Sequence, residues 1–311
     1  MLAKVKSLGL MGIQGYEVRV EADLNNGLPK FDTVGLPDAS IKESKERIRS
    51  AIKNSNLKFP ITKVTVNLAP ADVKKEGPMY DLPIAVALLA CTEEIVCPNL
   101  SEYTFIGELS LDGSVRRING VLPALITARK LGHKKIVIPY ENLKEASFID
   151  GIDVYGVKNL HEVADFLNGT LTILSAEKRK FEELRNSEFS ANDFCFIRGQ
   201  IQAKRALEIA AAGGHNVLMI GPPGAGKTML ARSVPTIMPD LTFDESLEVT
   251  KIHSIAGTLD PNEGIIWQRP FRSPHHTSTI IALTGGGKNA KPGEISLAHN
   301  GILFLDELPE Y

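Results

Sequence analysis

Cysteine is scarce in this chain. Cys91, Cys97 and Cys195 are the three in 311 residues, and none pairs as CxxC or lies at zinc-ligand spacing from histidine. A disulfide framework is excluded, and the three read as buried, reduced thiols. Charge of one sign is missing too: the net charge of −2 carries no global basic field, which argues against a small dedicated DNA-binding module. A larger machine with a local basic lining stays open. Long apolar runs are also absent. The longest, LPIAVALLAC (residues 82–91), is about half of what a membrane span needs. At the N-terminus, MLAKVKSLGLMGI is interrupted too early to be a signal peptide. No internal repeat or low-complexity tract is visible. A cytoplasmic protein with no membrane partner is the expectation.

What is present is ordinary for a globular protein: 43% hydrophobic and 23% charged residues, with a length that suggests two domains. YEVRVEADL and TKVTVNLAP alternate as half-buried strands do. PDASIKESKERIRSAIKNSN follows Pro37 with Ile41, Ile48 and Ile52 at helical spacing, which predicts a helix with one apolar face. Six basic and three acidic residues lie between Asp38 and Lys58. They read as a solvated outer face, with nucleic-acid contact as the other reading. Further on, GELSLDGSVRRINGVLPALITARKLGHKKIVIP reads strand, turn at Asp112-Gly113, strand, helix, strand. The charged stretch SAEKRKFEELRNSEFSAN reads as an exposed helical linker. The division expected is therefore a domain at 1–167, a linker at 168–192 and a second domain at 193–311, the first folding independently of the second.

The second domain opens with NVLMIGPPGAGKTMLA. NVLMI predicts a buried parallel strand and TMLARSV the start of a helix. Between them Gly221, Pro222, Pro223, Gly224, Ala225, Gly226, Lys227 and Thr228 fit GxxxxGK[ST], a Walker A loop, in the strand–loop–helix context that the motif requires. Glycines let the backbone turn its N–H groups inward as a cradle for phosphate oxygens. The helix N-terminus adds partial positive charge. Lys227 can reach the β- and γ-phosphates of ATP, and the Thr228 hydroxyl can coordinate Mg²⁺. Such an enzyme also needs a strand ending in a carboxylate. GILFLDEL supplies ILFL as that strand, Asp306 as the metal-side carboxylate and Glu307 as a catalytic base to orient water. A nucleotide-binding NTPase of α/β class follows from these residues alone.

From FIRGQIQAKRALEIAAAGGHNVLMIGPPGAGKT through RPFRSPHHTSTIIALTGGGKNAKPGEISLAHNGILFLDELPE, the chain closely resembles the magnesium-chelatase-like AAA+ ATPases of the YifB/ComM family. GLPKFDTVGLPDASIKESKERIRSAI and VNLAPADVKKEGPMYDLPIA match the family's N-terminal pattern, so the resemblance covers essentially the whole chain. Asp306 lies 79 residues after Lys227, which suits the insertion found in the chelatase-related clade. Arg272, His275, His276 and Lys288 would fall in or near that insertion, either contacting substrate or forming a structural turn.

The first domain resembles the proteolytic domain of Lon proteases, implying an α+β, ribosomal-S5-like fold ahead of the P-loop α/β domain. Lon chemistry needs a Ser nucleophile and a Lys to deprotonate it. Here Met79, Tyr80 and Asp81 stand where the Ser would sit, and Leu122 and Ala124 where the Lys is expected. The resemblance therefore implies a scaffold or substrate-handling module and not a protease.

At the level of function the family resemblance implies an ATP-driven motor on single-stranded or branched DNA, a homohexameric ring carrying out branch migration. A chelatase-type motor is the alternative; the Lon-like domain speaks against it, since the dedicated chelatase ATPase subunit lacks one. A third reading is an incomplete, inactive ATPase. In the family a further strand with a polar sensor, the arginine finger and a helical lid follow the Walker B strand, and here they would lie beyond Tyr311. The expectation is that these 311 residues alone hydrolyse ATP negligibly and leave NVLMI and ILFL without the strand between them.

Overall fold

The computed structural model describes residues 1–185, 192–287 and 291–310. It separates into two compact units, Met1–Arg179 with Gly257–Gly264, and Lys180–Ala256 with Ile265–Tyr311. The class is mixed α/β.

The first unit is built on a seven-stranded sheet. Its strands are β1 (Leu2–Met11), β2 (Gln14–Asn25), β3 (Lys30–Val34), β4 (Lys63–Ala69), β5 (Tyr103–Phe105), β8 (Lys135–Pro139) and β9 (Asp153–Val157), in the order β3-β4-β2-β1-β5-β8-β9. A two-residue turn joins β1 and β2 into a long antiparallel hairpin, and β4 pairs antiparallel to β2. The remaining pairings, β3 with β4, β1 with β5, β5 with β8 and β8 with β9, are parallel. A separate small ribbon pairs β6 (Glu108–Leu109) with β7 (Val115–Arg116) around the expected Asp112-Gly113 turn. Alternation carries the register. Val18, Val20 and Ala22 of β2, and Val64, Val66 and Leu68 of β4, are all buried, their neighbours facing the other way.

The helices of this unit are α1 (Ala39–Asn54), α2 (Asp81–Cys91), α3 (Val121–Lys130), α4 (Leu143–Ala146) and α5 (Leu160–Leu167). Asp38 caps α1, its carboxylate accepting from the Ile41 N–H at 2.9 Å, and the apolar face is Ile41, Ile48 and Ile52 as the spacing predicts. The run LPIAVALLAC is α2. It packs on β1, β2 and α1 and is buried at every position except Ala90, which explains an apolar run with no polar face. At its first residue Asp81 is 1% exposed and takes a two-pronged hydrogen bond from Arg47 of α1 at 2.8 and 3.1 Å. Met79, Tyr80, Leu122 and Ala124, which occupy the Lon dyad region with Asp81, are all core residues.

Residues 170–179, inside the stretch whose charge reads as linker, hydrogen-bond to this unit. The Ala176 N–H donates to Val154 O at 2.7 Å, Arg179 N–H to Ser147 O at 3.0 Å and Lys178 Nζ to Ile149 O at 2.5 Å. Residues 257–264 belong to it as well. Arg117 Nη2 donates to Leu259 O at 2.9 Å, Lys144 Nζ donates to Asn262 O at 3.2 Å, and the Leu259 side chain is buried. Gly264, at φ +76°, leaves no room for a side chain, because a Cβ would lie 2.4 Å from Lys144 O.

The second unit contains α6 (Ile201–Gly213), α7 (Lys227–Ser233), α8 (Phe243–Ala256), α9 (Ile280–Thr284) and α10 (Glu294–Leu297), with β10 (Phe271–Arg272) and β11 (Ile302–Leu303) as a two-strand parallel ladder. One core cluster joins Phe194, Ile197, Leu207 and Leu230, with Met219, Val234 and Ile237 packed against them; Leu241, Val249, Ile265 and Leu297 are buried as well. The expected strand ILFL is present as β11, extended by the Phe304 N–H donating to Arg272 O at 2.8 Å. The expected strand NVLMI is not: residues 216–220 pair with no strand among the described residues. The physical reason is plain in the side chains. Val217, Leu218 and Ile220 are 47%, 70% and 90% exposed, so neither a ladder nor a burying layer holds them extended.

Candidate nucleotide-binding site

The Gly221–Thr228 loop owes its shape to two glycines. Gly224 and Gly226 sit at φ +78° and +86°, the left-handed region that other residues enter at a cost of about 1 kcal/mol or more. Gly226 is the residue on which α7 begins, so Lys227 and Thr228 are its first two positions. The Lys227 ammonium folds back over the loop and donates to the carbonyls of Gly221 and Pro222 at 2.8 and 3.1 Å. Gln200, from just before α6, donates to Ala225 O at 3.4 Å.

Seventy-eight residues further on, the acidic end of β11 meets this loop. The Thr228 hydroxyl donates to Asp306 Oδ2 at 3.2 Å, and the Glu307 N–H donates to Asp306 Oδ1 at 3.1 Å. The sequence pattern names the same hydroxyl and carboxylate for a cation. Both are exposed enough to take one, and hard oxygen donors of this kind suit Mg²⁺, which keeps several positions for water and phosphate. The donor set fits. Among the described residues, no cluster of three or more His, Cys, Asp or Glu side chains could hold a metal elsewhere.

Glu307 has φ +55°, a conformation unusual for a residue with a side chain. Its carboxylate Oε2 meets His276 Nδ1 at 2.9 Å, and the His276 ring lies 4.2 Å from that of His275, centroid to centroid. His275 is itself held by Thr277, whose hydroxyl and N–H reach Nδ1 at 2.8 and 3.3 Å. The SPHHTS turn is thus both structural, through His275 and Thr277, and in touch with the candidate base through His276. Spacing alone carries no signal for that contact. Arg272 is fully engaged by Glu294, at 2.6 and 2.7 Å. Each tunes the other: hydrogen bonding from Arg272 lowers the Glu294 pKa, and hydrogen bonding to Glu294 raises that of Arg272. Below this pair, burial lowers the pKa of His253, whose Nε2 lies 3.0 Å from Leu297 O. Lys288 lies outside the described residues.

Arg269 is a residue that sequence reasoning passes over. It donates to the carbonyls of Pro239, Asn300 and Asp240 at 2.5, 2.7 and 3.4 Å, pinning the approach to β11 to the segment after α7. Its Nη2 also lies 3.6 Å from the Glu245 carboxylate, and contacts of this kind leave no motif behind them.

Two family models match. One, described as magnesium chelatase, subunit ChlI, covers residues 193–311; the other, subunit ChlI of Mg-chelatase, covers residues 20–142. Among curated proteins, the chain is 44% identical over 311 residues to competence protein ComM of Haemophilus influenzae, covering 100% of this chain and 61% of that protein. It is 45% identical over 310 residues to the uncharacterized protein YifB of Salmonella typhimurium, covering 100% of this chain and 60% of that one. A more distant match, 31% over 149 residues, is to Lon protease 2 of Bacillus subtilis, spanning 45% of this chain and 26% of the protease. The chain spans about three-fifths of the length of the ComM and YifB relatives it matches.

Proposed function

The chain belongs to the YifB/ComM family of magnesium-chelatase-like proteins, and from that premise we propose that its second unit supplies the ATP- and Mg²⁺-binding residues of a motor that remodels DNA. The observation that carries the reading is the 3.2 Å contact between Thr228 and Asp306, made beside Lys227 by residues far apart in sequence. In this reading the loop 221–228 holds the triphosphate through its backbone N–H groups, and Lys227 turns from the loop carbonyls to the terminal phosphates. Thr228 and Asp306 hold the Mg²⁺, which supplies charge neutralisation at the phosphates. Glu307 orients the attacking water, and His276, 2.9 Å from its carboxylate, sets where that base stands.

The working form is proposed to be a cytoplasmic homohexameric ring acting on single-stranded or branched DNA. What supports the DNA part is the match to a relative whose name carries competence. A chelatase-type motor is the second reading, favoured by the wording of both matching models. The model covering residues 20–142 bears a chelatase description, so the first unit does not itself separate the two readings.

Titration with a fluorescent ATP analogue tests the nucleotide site. The 311-residue chain should bind it in a Mg²⁺-dependent manner; Lys227→Ala should weaken binding at least about tenfold, and Asp306→Asn should abolish the difference between Mg²⁺ and EDTA. Unchanged affinity in Lys227→Ala would overturn the assignment.

A further inference from the structure

A second concave surface lies in the first unit. One wall is the C-terminal half of α1, where Lys45, Arg49 and Lys53 recur every fourth residue. At the rise of an α-helix they stand in one row, about 6 Å apart along the axis. The other wall is Lys30 and Phe31 at the start of β3, with Phe59 and Thr62 on the segment leading into β4. Phe31 and Phe59 are half-buried and form an apolar floor, and the Arg49 guanidinium lies 5.9 Å from the centre of the Phe59 ring.

The charges here are not neutralised from within. Lys30 meets Asp32 at 2.8 Å and Lys45 meets Glu46 at 3.8 Å, both exposed pairs that water screens. Among the described residues no carboxylate lies within ion-pair distance of Arg49 or Lys53. The Thr62 hydroxyl, buried in this wall, has no hydrogen-bond partner among the described residues. A merely solvated helix face would have the lysines and arginine without the aromatic floor.

A ligand complementary to this surface repeats a negative charge along one side and presents flat apolar faces on the other. We propose that the groove binds single-stranded nucleic acid, phosphates along Lys45, Arg49 and Lys53 and bases on Phe31 and Phe59. Cation rows beside stacking aromatics are the general solution for sequence-tolerant strand binding. Inorganic phosphate and acidic peptides satisfy the charge but leave the floor uncovered. The site lies wholly in the first unit and does not depend on ATP, so it stands or falls apart from the nucleotide assignment.

The test is fluorescence anisotropy of a labelled 12-nucleotide oligo-dT with the 311-residue chain, run also in the Lys227→Ala background. Binding should survive Lys227→Ala and fall at least about tenfold in Lys45→Glu/Arg49→Glu/Lys53→Glu. With about three phosphate contacts at ~0.7 per phosphate, the logarithmic salt slope should be near −2 and should flatten in that variant. Phe59→Leu should weaken binding about tenfold through lost stacking. The control Lys42→Glu/Lys58→Glu, off the groove, should do much less, and circular dichroism should show each variant folded. The proposal is overturned if the triple variant binds as well as the parent or the control pair weakens binding equally. Equal competition by polyglutamate or inorganic phosphate overturns it too, since neither has bases to stack.

Discussion

Two apolar runs, one in each unit, met opposite fates. LPIAVALLAC became α2 and disappeared into the first unit, wrapped by β1, β2 and α1. NVLMI stands just before the Gly221–Thr228 loop with Leu218 and Ile220 largely exposed. Composition does not separate them. What separates them is whether other segments supply a partner, and a strand, unlike a helix, cannot satisfy its own backbone. The first unit is therefore stabilised by its own sheet. The second combines a cluster around Phe194, Leu207 and Leu230 with buried Leu241, Val249, Ile265 and Leu297, and with polar ties such as those of Arg269.

The widest expected gap is in stability itself. Trp267, the only tryptophan, lies in the second unit, whereas Tyr16, Tyr80, Tyr103 and Tyr155 lie in the first. In urea, Trp267 fluorescence should report unfolding at a midpoint about 1 M or more below that of the tyrosine signal, given slopes of about 1–3 kcal/mol per molar. Coincident midpoints would break the comparison.

A narrower contrast sets one kind of ion pair against itself. Asp81–Arg47 is buried at the carboxylate, while Glu294–Arg272 has its side chains 22% and 32% exposed. Asp81→Ala should cost the first unit about 3 kcal/mol or more, since a desolvated Arg47 loses its partner. Glu294→Ala should cost the second about 1 kcal/mol. Their pH signatures are opposite. Burial pushes the Asp81 carboxyl up to about 6, against the pull of Arg47 and the Leu109 N–H. The folded chain then holds this proton more tightly than the unfolded chain, so Asp81's contribution falls as pH rises from about 4 to 6. Hydrogen bonding from Arg272 lowers the Glu294 pKa, so its contribution is present above the ordinary glutamate range and lost on acidification. Urea midpoints at pH 4.5 and 7 should show the tyrosine transition of Asp81→Asn gaining more with pH than the parent's, and the tryptophan transition of Glu294→Gln gaining less. Parallel shifts in parent and variants would refute the assignment.

The smallest effect expected is at the exposed run. Leu218→Gln and Ile220→Gln should each change stability by no more than about 0.5 kcal/mol while raising solubility. Leu88→Ala in α2 should cost about 2–5 kcal/mol by comparison. A large loss at Ile220 would show that NVLMI is buried in solution.

Local periodicity made much of this legible in the sequence. The isoleucines of α1 face inward as their spacing predicts, the alternating valines of β2 and β4 do likewise, and Asp112-Gly113 turns as expected. The meeting of the Gly221–Thr228 loop with a distant carboxylate was also readable, because the GxxxxGK[ST] pattern calls for a hydroxyl and a carboxylate that converge, and Thr228 and Asp306 lie 3.2 Å apart. Non-local contacts that no motif encodes stayed hidden. The His276–Glu307 contact joins two loops, and the groove beside α1 needs Phe59 and Phe31 brought to a stripe that alone reads as a solvated face. NVLMI reads as a strand short of its partner, and with none among the described residues it pairs with nothing.

The docking of residues 257–264 onto the first unit makes the chain cross between units at three points along its length rather than one. Excision therefore needs more than one cut. A fragment ending near residue 167 forfeits the carbonyls of Leu259 and Asn262, and Arg117, whose buried Nε has no hydrogen-bond partner among the described residues, would lose the Leu259 carbonyl from its Nη2. Grafting the first unit onto another protein would require carrying this eight-residue patch along, stitched back in by a short loop.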